Sequence, residues 1–295
     1  MFSNLSYKVQ KRIIIVAFLI IPLLLLAVFS YFPALNLFYY SLTKWDGISK
    51  TKEFVGLRNY VDLFSKQENF IVFKNSLYYL GGSVIQIGLA LYFSSILSYK
   101  VRFKSFFKGV LFFPYLLNGV AVSFMFMLFF RPEGTMDSLI TAIGLGAYTQ
   151  KWLGNPGIIN FSLVAVSIWR FFGYNFILFS GAIQSVPAEM YEATEIDGAN
   201  RFQQFWYVTL PFIKRVIELN VILSISGSIS AFEVPYIMTG GSNGSMTFVI
   251  RTVESAFKWR KYGLASAMGI VLLIIVVLTT LLQKKLFGDN KEVDA

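Results

Sequence analysis

The run IIIVAFLIIPLLLLAVFSYF, residues Ile13–Phe32, carries no charged side chain. A helix needs roughly 20 apolar residues to cross the hydrocarbon layer of a bilayer, so this run reads as a membrane span. Pro22 is tolerable inside it, because neighbouring helices can satisfy the carbonyl that a proline frees. Lys8, Lys11 and Arg12 precede the run, as basic residues do in a secretory leader. Bulky Tyr31, Phe32 and Pro33 follow it, however, where a leader has small residues for cleavage. The run is therefore read as an uncleaved anchor.

Five further stretches read the same way: Tyr78–Ser98, Gly109–Phe130, Ile158–Ser180, Val216–Thr239 and Leu264–Gln283. The expected fold class is an all-α integral membrane protein of about six transmembrane helices. Composition agrees. Of 295 residues, 56% are hydrophobic and only 14% charged, against roughly a quarter charged in soluble chains, which excludes a single-core soluble enzyme. There is no cysteine and no histidine. That removes disulfides, thiolate nucleophiles, Cys or His zinc sites and imidazole bases together, and no metal site is expected. The net charge of +10 would suggest nucleic acid as the partner of a soluble chain. In a membrane chain it points first to basic cytoplasmic loops, with membrane lipid rather than nucleic acid as the surroundings.

With the N-terminus inside, thirteen basic residues fall in cytoplasmic segments and twelve in external ones. Density decides what the totals leave open: Lys100, Arg102, Lys104 and Lys108 lie together beside two spans with no acid among them, where the positive-inside rule has most force. Both termini are expected inside. The chain divides into an N-terminal span and outer loop (1–69), a core domain with spans two to six (70–287) and a short cytoplasmic tail (288–295). Trp45-Asp46-Gly47 and Gly240-Gly241-Ser242-Asn243-Gly244 mark bends in the outer loops. No internal repeat or low-complexity tract is visible.

The segment between the fourth and fifth spans, Ser185 to Pro211, is too patterned for a linker. Ser185 is placed as an N-cap and Pro187 in a first helical turn, and Gly198 supplies a left-handed stop. Glu189, Glu192 and Glu195 share one stripe and Met190, Ala193 and Ile196 another. Asn200 with Gln203 opens a second short helix as a capping-box variant, which Pro211 is expected to end. An amphipathic helix lying on the membrane would display Lys and Arg on its polar face. This one displays four acids and no base, which an anionic leaflet repels and a basic protein partner attracts.

Glu192-Ala193-Thr194, then Gly198, then Val208 and Leu210-Pro211 resembles the EAA motif of permease subunits of binding-protein-dependent ABC importers. Asp197-Gly198-Ala199 and the run from Phe205 to Pro211 are similar to the carbohydrate branch, the maltose and glycerol-phosphate type. Phe38 to Ser41, Lys44 to Gly47, Gly56 to Tyr60, Pro114-Tyr115, Gly181 to Ser185 and Thr239 to Gly241 resemble the first of its two permease subunits. Thr194 stands where the motif has a second Ala, and Val208 where it usually has Ile. The resemblance implies a type I importer fold, a second permease subunit, two cytoplasmic ATPase subunits and an extracytoplasmic solute-binding protein, all at a bacterial plasma membrane. It implies that Glu189, Glu192, Ala193, Asp197, Gly198, Ala199, Leu210 and Pro211 form the ATPase-coupling site. Glu192 would meet a basic residue, and Gly198 would allow close approach. The chain has no Gly-x-x-x-x-Gly-Lys-Ser/Thr loop. ATP and Mg would then belong to the partner ATPases, with no cofactor bound here and no covalent catalysis.

Polar groups inside spans mark candidate pathways. Arg170 lies near the middle of the fourth span with Trp169, Tyr174 and Asn175 around it, and Ser228, Phe232, Glu233 and Tyr236 lie in or beside the most polar part of the fifth. Arg170 and Glu233 are expected to pair with each other, to pair with the partner subunit or to face a water-filled path, and the sequence leaves all three open. Any one serine there is as well explained by close helix packing. Aromatic faces and planar polar groups suit sugar rings and hydroxyls, and Tyr115 and Asn118 join the list on that ground. Tyr115 and Gly119 also stand at positions that resemble substrate-contacting ones in the maltose-type subunit. The function expected is translocation of a sugar or oligosaccharide by alternating access. A phosphorylated or other non-sugar solute, with Arg170 facing an anion, is the alternative. A polytopic glycosyltransferase would need paired acids or a metal at the membrane surface, and the acids here cluster in the coupling segment instead.

Overall fold

The computed structural model describes residues 6–98 and 102–287, with side chains through Lys285. Lys100, Lys291 and the expected tail 288–295 lie outside the described residues.

The first apolar run lies within one long helix, α1 (Tyr7–Ser41). Its 35 residues make a rod of about 52 Å, longer than the roughly 30 Å hydrocarbon layer. The outer loop therefore starts at Leu42, not at Pro33 as the sequence suggested. The reason is local. Residues Ala27–Tyr31 form a π-turn in which the Phe32 N–H bonds back to the Ala27 carbonyl, and this wider turn accommodates the ring of Pro33, which an α-turn would drive into the carbonyl four residues back. Strands β1 (Thr43–Lys44) and β2 (Glu53–Phe54) then pair antiparallel. Helix α2 (Arg58–Ser65) follows. Between the strands, Asp46 accepts from the Ser49 and Ile48 N–H groups at 2.8 and 3.0 Å and Gly47 turns at φ +84°, so the expected bend is present.

The longer of the remaining helices are α3 (Phe73–Ile96), α4 (Lys104–Leu116), α5 (Gly119–Phe129), α6 (Thr135–Ala142), α7 (Ile159–Gln184), α8 (Ala188–Ile196), α9 (Leu210–Ile229), α10 (Glu233–Thr239), α11 (Phe248–Val253) and α12 (Tyr262–Phe287). Among the described residues, five helices are long and apolar enough to cross a membrane, and six if α4 and α5 count as one span. That third span is not the continuous helix expected over Gly109–Phe130, for α4 and α5 meet at 94°. Leu117 and Asn118 are extended there, and the Asn118 side-chain oxygen Oδ1 caps α5 by accepting from the N–H groups of Val120 and Ala121. The expected fifth span is likewise interrupted, at Ser230–Phe232, between α9 and α10.

The chain forms two compact units. One runs up to Lys66 and takes in Thr252–Ile274, and the other runs from Gln67 to Arg251 and resumes at Ile275. In the second unit Tyr79, Val122, Ile159, Leu163, Val166, Val234 and Met238 make one buried cluster, and Ile87, Ala90, Phe176 and Phe179 another. Lipid tails are as apolar as leucine, so helices in a bilayer associate through close packing and interhelical hydrogen bonds. Both are visible. The Ser94 hydroxyl of α3 donates to the Phe176 carbonyl of α7 at 2.9 Å, and Gly173 of α7 lies against the Leu111 carbonyl and the Phe112 Cα of α4. Any Cβ at Gly173 would lie 2.7 Å from that Cα. Gly173→Leu should therefore destabilise the purified protein by about 1–3 kcal/mol and lower its melting temperature. Gly81→Leu, on α3 with no atom within 4 Å of its Cβ position, should leave melting unchanged. Equal melting of the two variants would contradict this packing.

Candidate functional site: a polar cavity and an acidic surface helix

A cavity of about 450 Å³ lies in the second unit, among α3, α7, α9 and the break before α10. Of the residues expected along a pathway, Arg170, Tyr174, Asn175, Ser228, Phe232 and Glu233 line it. Tyr115 stands behind Tyr174, ring centroids 5.1 Å apart, and Tyr236 stacks on Phe232 at 4.8 Å. Trp169 packs edge-on against Phe126, and Asn118 serves as the cap already described. The buried amides of Gln86, Asn175 and Asn220 also face the cavity. Among the described residues, these three make no hydrogen bond to protein. The sequence reading passed over Gln86, although a glutamine inside an apolar run is the same kind of signal as the charges it did register.

The two lone charges pair with each other. Arg170 Nη1 donates to Glu233 Oε2 at 2.5 Å, with the arginine side chain 13% exposed and the glutamate 42%. The rest of the guanidinium packs over the Phe171 ring, 5.0 Å from its centroid, and its buried Nε has no partner among the described residues. Two interruptions of regular helix converge here. Glu233 opens α10 after the fifth-span break, Gly119 opens α5 after the third-span bend, and a Cβ on Gly119 would strike both the guanidinium and the carboxylate. The N-terminal end of α10 favours the negative charge on Glu233. The pair as a whole is neutral.

The segment that follows α7 is built as a helix, a stop and a second helix. Ser185 is not the N-cap expected, because its hydroxyl donates back to the Ala182 carbonyl in the last turn of α7, and α8 starts from Pro187. Gly198 ends α8 at φ +77°. Its N–H donates to the Glu195 carbonyl at 3.0 Å and that of Ala199 to Thr194 at 2.9 Å, the paired bonds of a Schellman stop. The Asn200–Gln203 capping box is present, with both reciprocal bonds. Pro211 does not end the second helix. A π-turn over Phe205–Thr209 carries Arg201–Gln204 directly into α9, the Leu210 N–H bonding to the Phe205 carbonyl. The physical cause is the one met at Pro33: the wider turn spares the proline a clash.

This segment presents its acids outward. Glu189, Glu192, Glu195, Asp197, Ala193 and Gly198 are all exposed, and Ile196 is 87% exposed. It is anchored from below: Val208 is buried with Ile183, Val186 and Ile213, and the Tyr191 hydroxyl bonds with that of Thr209 at 2.9 Å. Thr194 satisfies its hydroxyl within α8, donating to the Tyr191 carbonyl at 2.9 Å. The anchors Tyr191 and Thr209 were not picked out from sequence, since a tyrosine on an acidic helix has no spacing that announces its partner.

A multi-spanning helical protein with broken spans around a polar cavity, and with an exposed acidic helix between two spans, is a membrane permease. Residues 86–287 match the family described as binding-protein-dependent transport system inner membrane component, and the chain belongs to that family, the permease subunits of ABC importers. It is 35% identical to the "Probable ABC transporter permease protein YurN" of Bacillus subtilis, over 96% of this chain and 99% of that one. It is 33% identical to the "Multiple sugar-binding transport system permease protein MsmF" of Streptococcus mutans, over 91% and 93%. The arabinooligosaccharides transport permease AraP of Bacillus subtilis is 31% identical, over 90% and 85%. A solved chain of a bacterial ABC transporter that imports the acidic polysaccharide alginate superposes with a TM-score of 0.84 at 19% identity, over 97% of this chain and 98% of that one. It shares the type I importer fold.

Proposed function

We propose that this chain forms half of a transmembrane pathway that admits a neutral sugar or oligosaccharide to the cytoplasm. A second permease subunit would complete the pathway. An extracytoplasmic binding protein would deliver the solute, and two ATPase subunits would dock on α8 and the turn at Gly198. The chain binds no nucleotide in this reading; ATP and Mg stay with the ATPases. Both termini lie on the cytoplasmic side of the plasma membrane, the side of the coupling segment.

The observation that carries the sugar reading is the chemistry of the cavity. Gln86, Asn175 and Asn220 turn unpaired amide donors and acceptors toward it, the complement of hydroxyl groups that both donate and accept. Tyr174 and Phe232 supply flat apolar faces beside them. Among the described residues, Arg170 is the only cation lining the cavity, and Glu233 neutralises it. An anionic solute would have to compete with that carboxylate for Arg170. Relatives named for multiple sugars and arabinooligosaccharides support the same class.

The test is ATPase stimulation in the reconstituted complex with its binding protein. Neutral mono- and oligosaccharides should stimulate hydrolysis and their phosphorylated counterparts should not. Stimulation by the phosphorylated forms alone would replace this reading with the anionic one.

A further inference from the structure

The first unit holds a second cavity, of about 580 Å³, unlike the first in character. Six basic residues line it, Lys44, Lys52, Arg58, Lys66, Arg260 and Lys261, against three acids, Asp46, Glu53 and Asp62. Among the described residues, none of the six forms an ion pair. Lys52 lies over the Tyr40 and Trp45 rings, 4.6 Å from each centroid, and the other five have no such contact among the described residues. The three acids offset only half of this charge, and the Asp46 carboxylate is already held by the Ser49 and Ile48 N–H groups and the Ser49 hydroxyl. Those bonds lower its pKa to about 2. Arg260 is held in the left-handed region at φ +50°, and the neighbouring Lys261 N–H is fixed on the Ser255 carbonyl at 2.8 Å. This turn sets two cations at the cavity.

Helix α2 gives the cavity an apolar flank. Arg58 and Asp62 fall one turn apart on the face that lines the cavity, and Lys66 lines it just beyond the end of the helix. Leu57, which precedes the helix, and Val61 and Phe64 within it follow at i, i+4 and i+7 and are 60–66% exposed. Cations beside an exposed apolar stripe are the signature of a helix at the membrane–water boundary. The location agrees, since the cavity begins three residues beyond the end of α1, whose most apolar stretch has no buried residue in the structure. Tyr40 and Trp45 are the aromatic types that concentrate at that depth.

We propose that this cavity seats the phosphate headgroup of an anionic phospholipid, whose acyl chains lie along Leu57, Val61 and Phe64. Arg58 and Arg260 present guanidinium groups suited to bidentate phosphate contact, and Lys261 adds a third charge. The site differs from the sugar pathway in unit, charge and ligand class, and its test does not depend on that pathway.

The complete transporter is placed in nanodiscs of phosphatidylcholine doped with phosphatidylglycerol, and the lipids retained after mild delipidation are counted by native mass spectrometry. The wild type should retain phosphatidylglycerol in preference. Arg58→Gln/Arg260→Gln/Lys261→Gln should reduce that preference on the order of a hundredfold, from three lost charges at the membrane surface. Arg58→Lys/Arg260→Lys should keep most of it. No preference in the wild type, or an unchanged preference in the triple variant, overturns the proposal. So does displacement of the retained lipid by millimolar inorganic phosphate, which would make this a site for a soluble anion. A triple variant that keeps its lipid but loses stimulation by the binding protein would mark the cavity as a protein-docking surface and overturn the proposal as well. Should the triple variant not fold, the wild-type preference and the phosphate competition decide.

Discussion

Arg170→Ala is expected to lower uptake more than tenfold at unchanged membrane abundance, and Arg170→Glu combined with Glu233→Arg to restore a large part of it. Removing the guanidinium leaves the Glu233 carboxylate beside the cavity without its partner. Breaking a fully buried ion pair in this way costs 3–5 kcal/mol in proteins generally. Glu233 is 42% exposed, so about 2 kcal/mol is the proper scale here, enough for a loss of more than tenfold. The effect should fall on transport rather than on assembly, because the pair joins the mid-region of α7 to the two places where spans are broken. Gly119→Ala, whose Cβ would strike both partners, should reproduce the loss without touching either charge. The measurement is the initial uptake rate of a stimulating sugar in vesicles, normalised to the amount of assembled complex. Wild-type uptake by Arg170→Ala would reduce the pair to a bystander.

The second large effect lies at the acidic helix. Glu192→Lys and, separately, Gly198→Val should each leave the protein inserted in the membrane while at least tenfold less ATPase co-purifies with it. Glu192 is exposed, on a helix with Glu189, Glu195 and Asp197 near it, and reversing its charge replaces attraction to a basic partner with repulsion. A charge-assisted hydrogen bond is worth about 1.5–3 kcal/mol, which sets the tenfold scale. Gly198 acts differently. Its Cβ position is open, with nothing within 4 Å, so a valine would not clash within this chain. The cost is the left-handed backbone at φ +77°, about 1–2 kcal/mol for an L-residue, together with bulk at the surface offered to the partner. Gly198→Asn tolerates that conformation and should retain more ATPase than valine does. Equal recovery of ATPase with Gly198→Val and the wild type would remove this segment from the coupling site.

Much of this was legible in the sequence, and the parts that were not share a cause. Apolar runs located the membrane helices because length and hydropathy are properties of the run itself. The breaks at Leu117–Asn118 and Ser230–Phe232 escaped because a window of apolar residues averages over two or three extended ones. Gly198 and the Asn200–Gln203 box were readable, since a stop and a cap are local arrangements of backbone and one side chain. Pro211 was misread for a related reason. Proline ends an α-helix, but a π-turn lets the helix pass, and which of the two occurs depends on whether the chain beyond has apolar partners to pack on. The pairing of Arg170 with Glu233 joins residues 63 positions apart and needs the tertiary fold. Gln86 was within reach and was passed over because a neutral amide does not stand out among hydrophobic neighbours as a charge does.

The π-turn before Pro211 has a mechanical consequence. Because the backbone does not stop there, residues 201–229 form one unbroken rod of about 43 Å. One end stands beside Gly198 at the acidic surface and the other at the break that precedes Glu233. A stiff lever of that length turns a tilt of about 5° at Asn200 into a displacement of nearly 4 Å at Ser230, more than the length of the ion pair. Nucleotide-driven closure of a partner would then need no relay of side chains to open or shut the pathway. A small rotation, applied where the rod begins, would pull Glu233 away from Arg170 at its far end.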